Sequence, residues 1–320
     1  MINPSFYIVT ASGKTASPPV GSCTVALGTF DGVHIAHREL LRRTVALKES
    51  LGASLCGAWC FAESPANLLG DKKSPALCTL EKKIDMMLSL GLDFVAVGDF
   101  RDFRDISAED FVNEFLKGTL GCVGTVCGFN HRFGHKGKGT SALLAEAFGN
   151  DCAVMVDEIK CDDETVSSTA IKAHILNGNV EKAALMLGRP FSLTAKVTSG
   201  KNLGHTVGFP TANQDFPEGT IIPKRGIYAT LCTTSDGKRH VGISNIGIRP
   251  TITDGSDDHV INCETHIHDF SENIYGDMIS VEFHKYLREE KKFASIKDLC
   301  AQIAKDLETS ISYFKEKEDF

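Results

Sequence analysis

Two histidines three residues apart, His34 and His37, stand at the end of the stretch Ala26-Leu27-Gly28-Thr29-Phe30-Asp31-Gly32-Val33-His34-Ile35-Ala36-His37. The stretch follows an apolar run from Cys23 and leads into a helical pattern, so it reads as a strand, a glycine turn and a helix. Gly28 and Gly32 bracket the turn, because a backbone that bends sharply close to a ligand has no room for a Cβ. The free N–H groups and positive dipole end of the opening helix suit an anion, phosphate above all. Residues three apart share a helix face, so both imidazoles are expected to reach one phosphate chain. Alone, a His-x-x-His pair is equally a solvated helix face or half of a metal site. Zinc, however, would want a third ligand in register, and none stands nearby at a usual spacing.

Two further strings in the first half carry polar groups at positions where a strand should end. Gly128-Phe129-Asn130-His131-Arg132-Phe133-Gly134 follows the apolar run Cys122 to Cys127; Asn130 there closes a turn or contacts a ligand. The Lys136-Gly137-Lys138-Gly139 run after it is a solvated basic loop and not a P-loop, since Gly134 to Thr140 lacks the lysine that must precede Ser/Thr. Val166-Ser167-Ser168-Thr169-Ala170-Ile171-Lys172 opens a helix, and taken alone its hydroxyls are an N-cap.

The elements that must position these groups alternate. A helix over His37 to Ser50 is followed by an apolar run at Ala53 to Ala62, then a helix capped by Thr79 with Ile84, Met87, Leu88 and Leu90 on its apolar positions. A strand at Phe94 to Val97 precedes Ser107-Ala108-Glu109-Asp110, which opens a helix with Phe111 and Phe115 on one face. Strand-like runs recur at Cys122 to Cys127 and Cys152 to Val156. The segment Ala11 to Gly21 reads as a loop. This alternation predicts an α/β, Rossmann-like domain with a parallel sheet covered on both faces. In such sheets ligands bind beyond the C-terminal strand ends, where these motifs fall.

After a helical stretch from Val180 to Leu187, Gly188-Arg189-Pro190 breaks the pattern and marks a boundary between domains 1–187 and 188–320. Beyond it, β-rich runs at Phe191 to Thr198, Gly226 to Thr233, His240 to Ile246, Val260 to His268 and Met278 to Phe283 predict a five-stranded antiparallel β-barrel. One amphipathic helix, Ile296 to Phe314, closes the chain. A length of 320 residues accommodates two such cores.

The net charge of −7 argues against nucleic-acid and anionic-membrane partners, which favour clustered basic residues. Eleven scattered cysteines with no Cys-x-x-Cys pair suit reduced, buried thiols. No targeting segment or membrane-length apolar run is visible, which makes the expected location cytoplasmic. Oligomeric state is not legible.

The string Gly-Thr-Phe-Asp-Gly-Val-His at 28–34 resembles the signature of nucleotidyltransferases with a His-x-Gly-His element, and in particular the bifunctional riboflavin kinase/FMN adenylyltransferase family. The Gly128 to Gly134 loop and the Ser168-Thr169 element are similar to that family's second and third motifs. Four strings of the second half match its kinase part in order: Gly204 to Asn213, ending Pro210-Thr211-Ala212-Asn213; Gly226-Ile227-Tyr228-Ala229; Asn245 to Thr251; and Asp269-Phe270 with Tyr275-Gly276. Ala36, His131, Lys172 and His205 depart from the family's glycine, aromatic, arginine and arginine.

The resemblance implies two reactions: FMN from riboflavin and ATP, then FAD from FMN and a second ATP. In the first half it implies that Gly28, Phe30, Asp31, Asn130, Ser168 and Thr169 bind ATP and phosphate, with His34, His37 and Lys172 holding the triphosphate during attack by FMN on the α-phosphorus. In the second half it implies that Thr211 and Asn213 offer oxygens to Mg2+ and ATP, that Glu264 is the base for the riboflavin hydroxyl, and that Arg288 lies near the flavin. Small-molecule substrates are the only partners implied. Because the departures at Ala36, His131 and Lys172 fall in the first half, a chain acting as riboflavin kinase alone is the nearest alternative. A flavin- or nucleotide-binding sensor with decayed catalysis is a third, and it would have no use for a base at Glu264.

Overall fold

The run Cys23–Leu27 is buried at every position, which only a strand covered on both faces can be. The computed structural model describes residues 6–10, 13–70, 73–198, 208–249 and 260–317, without the side chains of residues 249 and 260. The chain forms two compact units, Met1–Ser168 and Thr169–Phe320.

In the first unit the strands are β1 (Phe6–Thr10), β2 (Gly13–Thr15), β3 (Cys23–Leu27), β4 (Leu55–Phe61), β5 (Phe94–Gly98), β6 (Cys122–Gly128) and β7 (Ala153–Val156). They form one sheet in the order β2-β1-β5-β4-β3-β6-β7. The five central and C-terminal strands β3 to β7 run parallel, and β1 and β2 add an antiparallel edge. The parallel sheet is as expected. β1 adds a strand that the periodicity did not mark, and the loop expected over Ala11 to Gly21 contains the short strand β2.

Side chains alternate across this sheet and feed two apolar layers. Ala26, Ala58, Val95, Val97 and Val126 face α1 (Ile35–Leu51), which contributes Leu40, Leu41 and Leu47, and a helix Leu80–Ser89, which contributes Ile84 and Met87. Val25, Leu27, Trp59, Phe94 and Ala96 face Phe103, Phe111, Phe115 and Leu116 on the other side. Thr79 caps the helix Leu80–Ser89 by accepting from the Lys82 amide. Ser107 does the same for the Asp110 amide before the π-helical segment Phe111–Thr119. We number the remaining helices α2 (Pro65–Leu69), α3 (Leu80–Ser89), α4 (Phe100–Phe103), α5 (Ala108–Asp110) and α6 (Ser141–Phe148).

The first unit also holds a small hairpin, β8 (Lys160–Cys161) with β9 (Glu164–Thr165). α7 (Ser168–Leu176) then crosses into the second unit, and α8 (Val180–Leu187) packs there on β10 (Phe191–Lys196) and β15 (Met278–Arg288). The division between compact units falls just after Ser168, the first residue of α7, whereas the boundary read from the sequence stands at 187/188.

Among the described residues the second unit has six strands rather than five: β10, β11 (Ala212–Asp215), β12 (Gly226–Thr233), β13 (Arg239–Arg249), β14 (Val260–Ile267) and β15, in the antiparallel order β10-β15-β12-β13-β14-β11. The unexpected strand is β11. Its sequence, Ala-Asn-Gln-Asp, has almost no intrinsic strand preference, and it is strand because β14 supplies its ladder. Just beyond β10 the Thr198 amide donates to the Asn213 carbonyl at 2.8 Å, joining the first strand's end to the last and closing the barrel. The terminal helix, α9 (Ile296–Glu316), lays Tyr313 and Phe314 over Ala229, Leu231 and Val241. None of the eleven cysteines is cross-linked, and seven are buried.

Candidate active sites

The turn between β3 and α1 is held under local strain. Phe30 has φ 52° and Val33 φ 41°, left-handed values that a β-branched residue rarely adopts. His34 is not on the helix, as its spacing suggested; it is extended, at φ −71° and ψ 174°, and caps α1. Its Nδ1 accepts the His37 amide at 3.3 Å, and the two rings stack with centroids 3.6 Å apart. The two histidines therefore meet, but by capping and stacking rather than by sharing a face. Burial, then His34, then Lys83 push the His37 imidazole well below the ordinary histidine range, so it is neutral near pH 7. His37 Nδ1 is buried and has no hydrogen-bond partner.

A cavity of about 820 Å³ opens here, at the C-terminal ends of the parallel strands. Gly28, Thr29, His34, Ala36 and His37 line one wall; Asn130 and His131, Ser168, and the aromatic residues Trp59 and Phe61 line others. Asn130 is exposed to it. His131 packs parallel to Phe133 with centroids 5.9 Å apart, and burial lowers its pKa to about 4. The loop depends on Gly134, at φ 70°, where a Cβ would fall 2.6 Å from the Ala108 Cα.

Phe30 and Asp31 do not form the cavity wall through their side chains. Phe30 is fully buried against the His37 ring, and Asp31 accepts the Leu77 amide at 2.8 Å. The Ser168 hydroxyl donates to the Asp31 carbonyl at 3.0 Å, tying the start of α7 to the turn. Thr169 is exposed and Lys172 half-buried on α7, both in the second unit; the cavity is built from the first unit alone.

In the barrel, β11 and β14 place Asn213 directly opposite Glu264, and β13 places Asn245 opposite Glu264 on its other side. Asn262 bridges the group: its Nδ2 donates to Asn213 Oδ1 at 3.3 Å and to Glu264 Oε1 at 3.4 Å. Asn213 in turn donates to the Thr211 carbonyl at 3.4 Å. The loop before β11 is pinned where His266 Nδ1 meets the Pro210 carbonyl at 2.9 Å. Thr211 also lines a second cavity, of about 430 Å³, with Phe270, Asn273 and Tyr275 among its walls. Arg288 is engaged elsewhere: its guanidinium grips the Asp306 carboxylate of α9 with Nε at 3.0 and 3.1 Å and Nη2 at 2.6 Å. Gly204, His205 and residues 250–251 lie outside the described residues.

Comparison with known proteins agrees with both halves. A model for FAD synthetase matches residues 18–170, and one for riboflavin kinase matches 187–314. The bifunctional riboflavin kinase/FMN adenylyltransferase of Bacillus subtilis is 33% identical over 91% of this chain and 92% of its own length. Those of Haemophilus influenzae and Escherichia coli are 34% and 32% identical, at 91% and 92% of this chain and 94% of theirs. The chain belongs to the bifunctional riboflavin kinase/FMN adenylyltransferase family.

A solved structure described as a macrolide-efflux protein from Streptococcus pneumoniae is similar to this family member with a TM-score of 0.83, at 26% identity, covering 92% of this chain and 95% of that one. Among the described residues no helix is long and apolar enough to cross a membrane. Several residues that contact the candidate site residues carried no signal in the sequence. Lys83 reaches the first turn from α3, Asn262 links Asn213 to Glu264, and Asp306 holds Arg288 from α9. Lys83 and Asp306 make their contacts from helices and Asn262 reaches Asn213 across strands, where no local spacing announces them.

Proposed function

We infer that the chain makes FMN from riboflavin and ATP in its barrel, and FAD from FMN and ATP in its α/β part. The observation that carries the reading is the coexistence, in one chain, of the capped His34–His37 cavity and the Asn213–Asn262–Glu264 cluster, each in the half that the corresponding family model matches. We assign adenylyl transfer to 1–187 and phosphorylation to 188–320, since the first family model takes in Ser168 and Thr169 on α7.

In the barrel, Glu264 takes the proton of the riboflavin 5′-hydroxyl as its oxygen bonds to the γ-phosphorus of ATP; ADP leaves, and FMN and a proton remain. Asn262 orients that carboxylate. Asn213 Oδ1 and the Thr211 hydroxyl are hard oxygens of the kind Mg2+ takes alongside nucleotide phosphates, so the donor set fits MgATP. Among the described residues no group of three or more His, Cys, Asp or Glu side chains is arranged to hold a metal, which favours an ion carried in with the nucleotide. Mg2+ would supply charge neutralisation at the transferring phosphate. Arg288, fixed by Asp306, is placed by us at the edge of the flavin site.

In the α/β part, a phosphate oxygen of FMN attacks the α-phosphorus of ATP and the bond to the β-phosphate breaks, giving FAD and pyrophosphate. No protein nucleophile enters. The work is positioning and charge stabilisation. Neutral His37 donates from Nε2 or accepts, according to tautomer; His34 fixes its ring; Gly28, Asn130, Ser168 and the N–H groups at the start of α1 face the phosphates. Phe30 and Asp31 act by shaping the turn. For Thr169 and Lys172 we keep the phosphate-binding roles that the family resemblance implies, the lysine as a point charge in place of a fork. The free thiols suit a cytoplasmic enzyme.

The test is a time course with riboflavin and MgATP, in which FMN is expected first and FAD after it. FMN that accumulates with no FAD at any Mg2+ concentration would leave a riboflavin kinase alone.

A further inference from the structure

Beneath the turn that holds His34 lies an ammonium group that, among the described residues, has no carboxylate beside it. Lys83, on α3, is 8% exposed, and its Nζ donates to the Thr29 carbonyl at 3.2 Å and to the Phe61 carbonyl at 3.2 Å. The Cys60 thiol is buried nearby: burial raises its pKa and the Lys83 charge opposes that rise. Among the described residues Lys83 has no ion pair. Burying an ammonium without a counter-charge is costly, and two peptide carbonyls with a thiol compensate it only in part. Thr29 and Phe61 both line the 820 Å³ cavity, so the charge lies immediately behind its wall.

We propose that Lys83 is a positioning residue of the adenylyl-transfer site, whose charge is completed by the triphosphate and whose hydrogen bonds turn the Thr29 and Phe61 carbonyls away from the incoming phosphates. The inference rests on the first-site reading above. A carbonyl oxygen facing a phosphate oxygen is repulsive. One that accepts from a buried lysine faces the lysine instead, and the field of that lysine reaches the cavity through a low-dielectric wall. Because its hydrogen bonds go to backbone carbonyls and it does not line the cavity, Lys83 acts through the turn and not by touching the ligand. The same charge contributes, after burial and His34, to keeping His37 unprotonated.

The test compares Lys83→Met and Lys83→Arg in FMN adenylylation, with thermal unfolding of the same preparations followed by circular dichroism as the control for folding. K83M is expected to raise the KM for ATP tenfold or more. It should also shift the acid limb of kcat/KM to higher pH, since removing a nearby cation lets His37 take a proton more readily. K83R keeps the charge, so its acid limb is expected to stay at the wild-type position; if K83M does not fold, a displaced limb in K83R overturns the proposal. Wild-type ATP dependence and an unmoved limb in K83M overturn it too, as does equal behaviour of the two variants. His37→Ala, run alongside, separates the failures. Loss of FAD formation in H37A with K83M unaffected removes Lys83 alone, whereas full activity in H37A removes the first-site reading and this inference with it.

Discussion

His34 caps the helix that carries His37, its Nδ1 accepting the His37 amide at 3.3 Å while the two rings stack at 3.6 Å. One imidazole thus does structural work for the other, and the two substitutions are not equivalent. His34→Ala removes both a ring and a cap, and caps are worth about 1 kcal/mol; His34→Asn restores a cap acceptor without the ring. Both variants, and His37→Ala, are expected to lower FAD formation from FMN by at least tenfold with FMN formation unchanged. Only H34A should lose several degrees in Tm. Product chromatography and thermal unfolding check this, and an H34N enzyme with wild-type FAD formation would reduce His34 to a cap.

His131 makes the fold pH-dependent. Burial lowers its pKa to about 4, against about 6.5 in an unfolded chain. The stability it leaves intact is complete above about pH 6.5 and is lost as pH falls from there toward about 4, because the unfolded chain binds the proton more readily. At pH 5 that loss amounts to about 2 kcal/mol for this residue. His131→Phe, close in size, is expected to lose less stability than wild type between pH 7 and pH 5 by that amount in denaturant unfolding. Parallel pH profiles for the two proteins would count against it.

How much of this was legible follows the range of the interaction. The strand, turn and helix around His34 could be read because their signals, apolar period, paired glycines and an opening helix, lie within a dozen residues. The capping by Thr79 and Ser107 was legible for the same reason. β11 was not, since Asn213 and Gln214 owe their strand conformation to β14, some fifty residues on. His34 was misplaced onto the helix because spacing reports a face and says nothing of whether the first residue is helical or a cap. Arg288 was expected near the flavin, and its partner Asp306 lies 18 residues on, inside α9.

That pairing has its own consequence. Arg288 and Asp306 side chains are 20% and 6% exposed, and the contact is bidentate. Asp306→Ala would strand the guanidinium, and breaking a buried pair in this way costs about 3–5 kcal/mol. The expected result is a lowered Tm with the KM for riboflavin raised, because the arginine loses its orientation. Arg288→Lys should fall between the two. A D306A protein as stable as wild type would show the pair to be dispensable.

Asn213 and Thr211 are assigned oxygens around the metal of MgATP. Thr211→Ala and Asn213→Ala are each expected to raise the Mg2+ concentration for half-maximal FMN formation several-fold, leaving the Mg2+ dependence of FAD formation from FMN in place. Titration of both reactions with Mg2+ at fixed ATP makes the comparison. Superimposable curves for wild type and variants in the first reaction would remove both residues from the metal's surroundings.

Glu264→Gln tests the central claim, that two separate sites in one chain perform two successive transfers. The amide keeps the shape and the hydrogen bond from Asn262 but cannot accept the riboflavin proton. Supplied with riboflavin and MgATP, E264Q is expected to form neither FMN nor FAD at a measurable rate. Supplied with FMN and MgATP, it should form FAD at the wild-type rate with stoichiometric pyrophosphate. Substantial FMN from riboflavin, or loss of FAD formation from FMN in a protein with a wild-type Tm, would contradict the account.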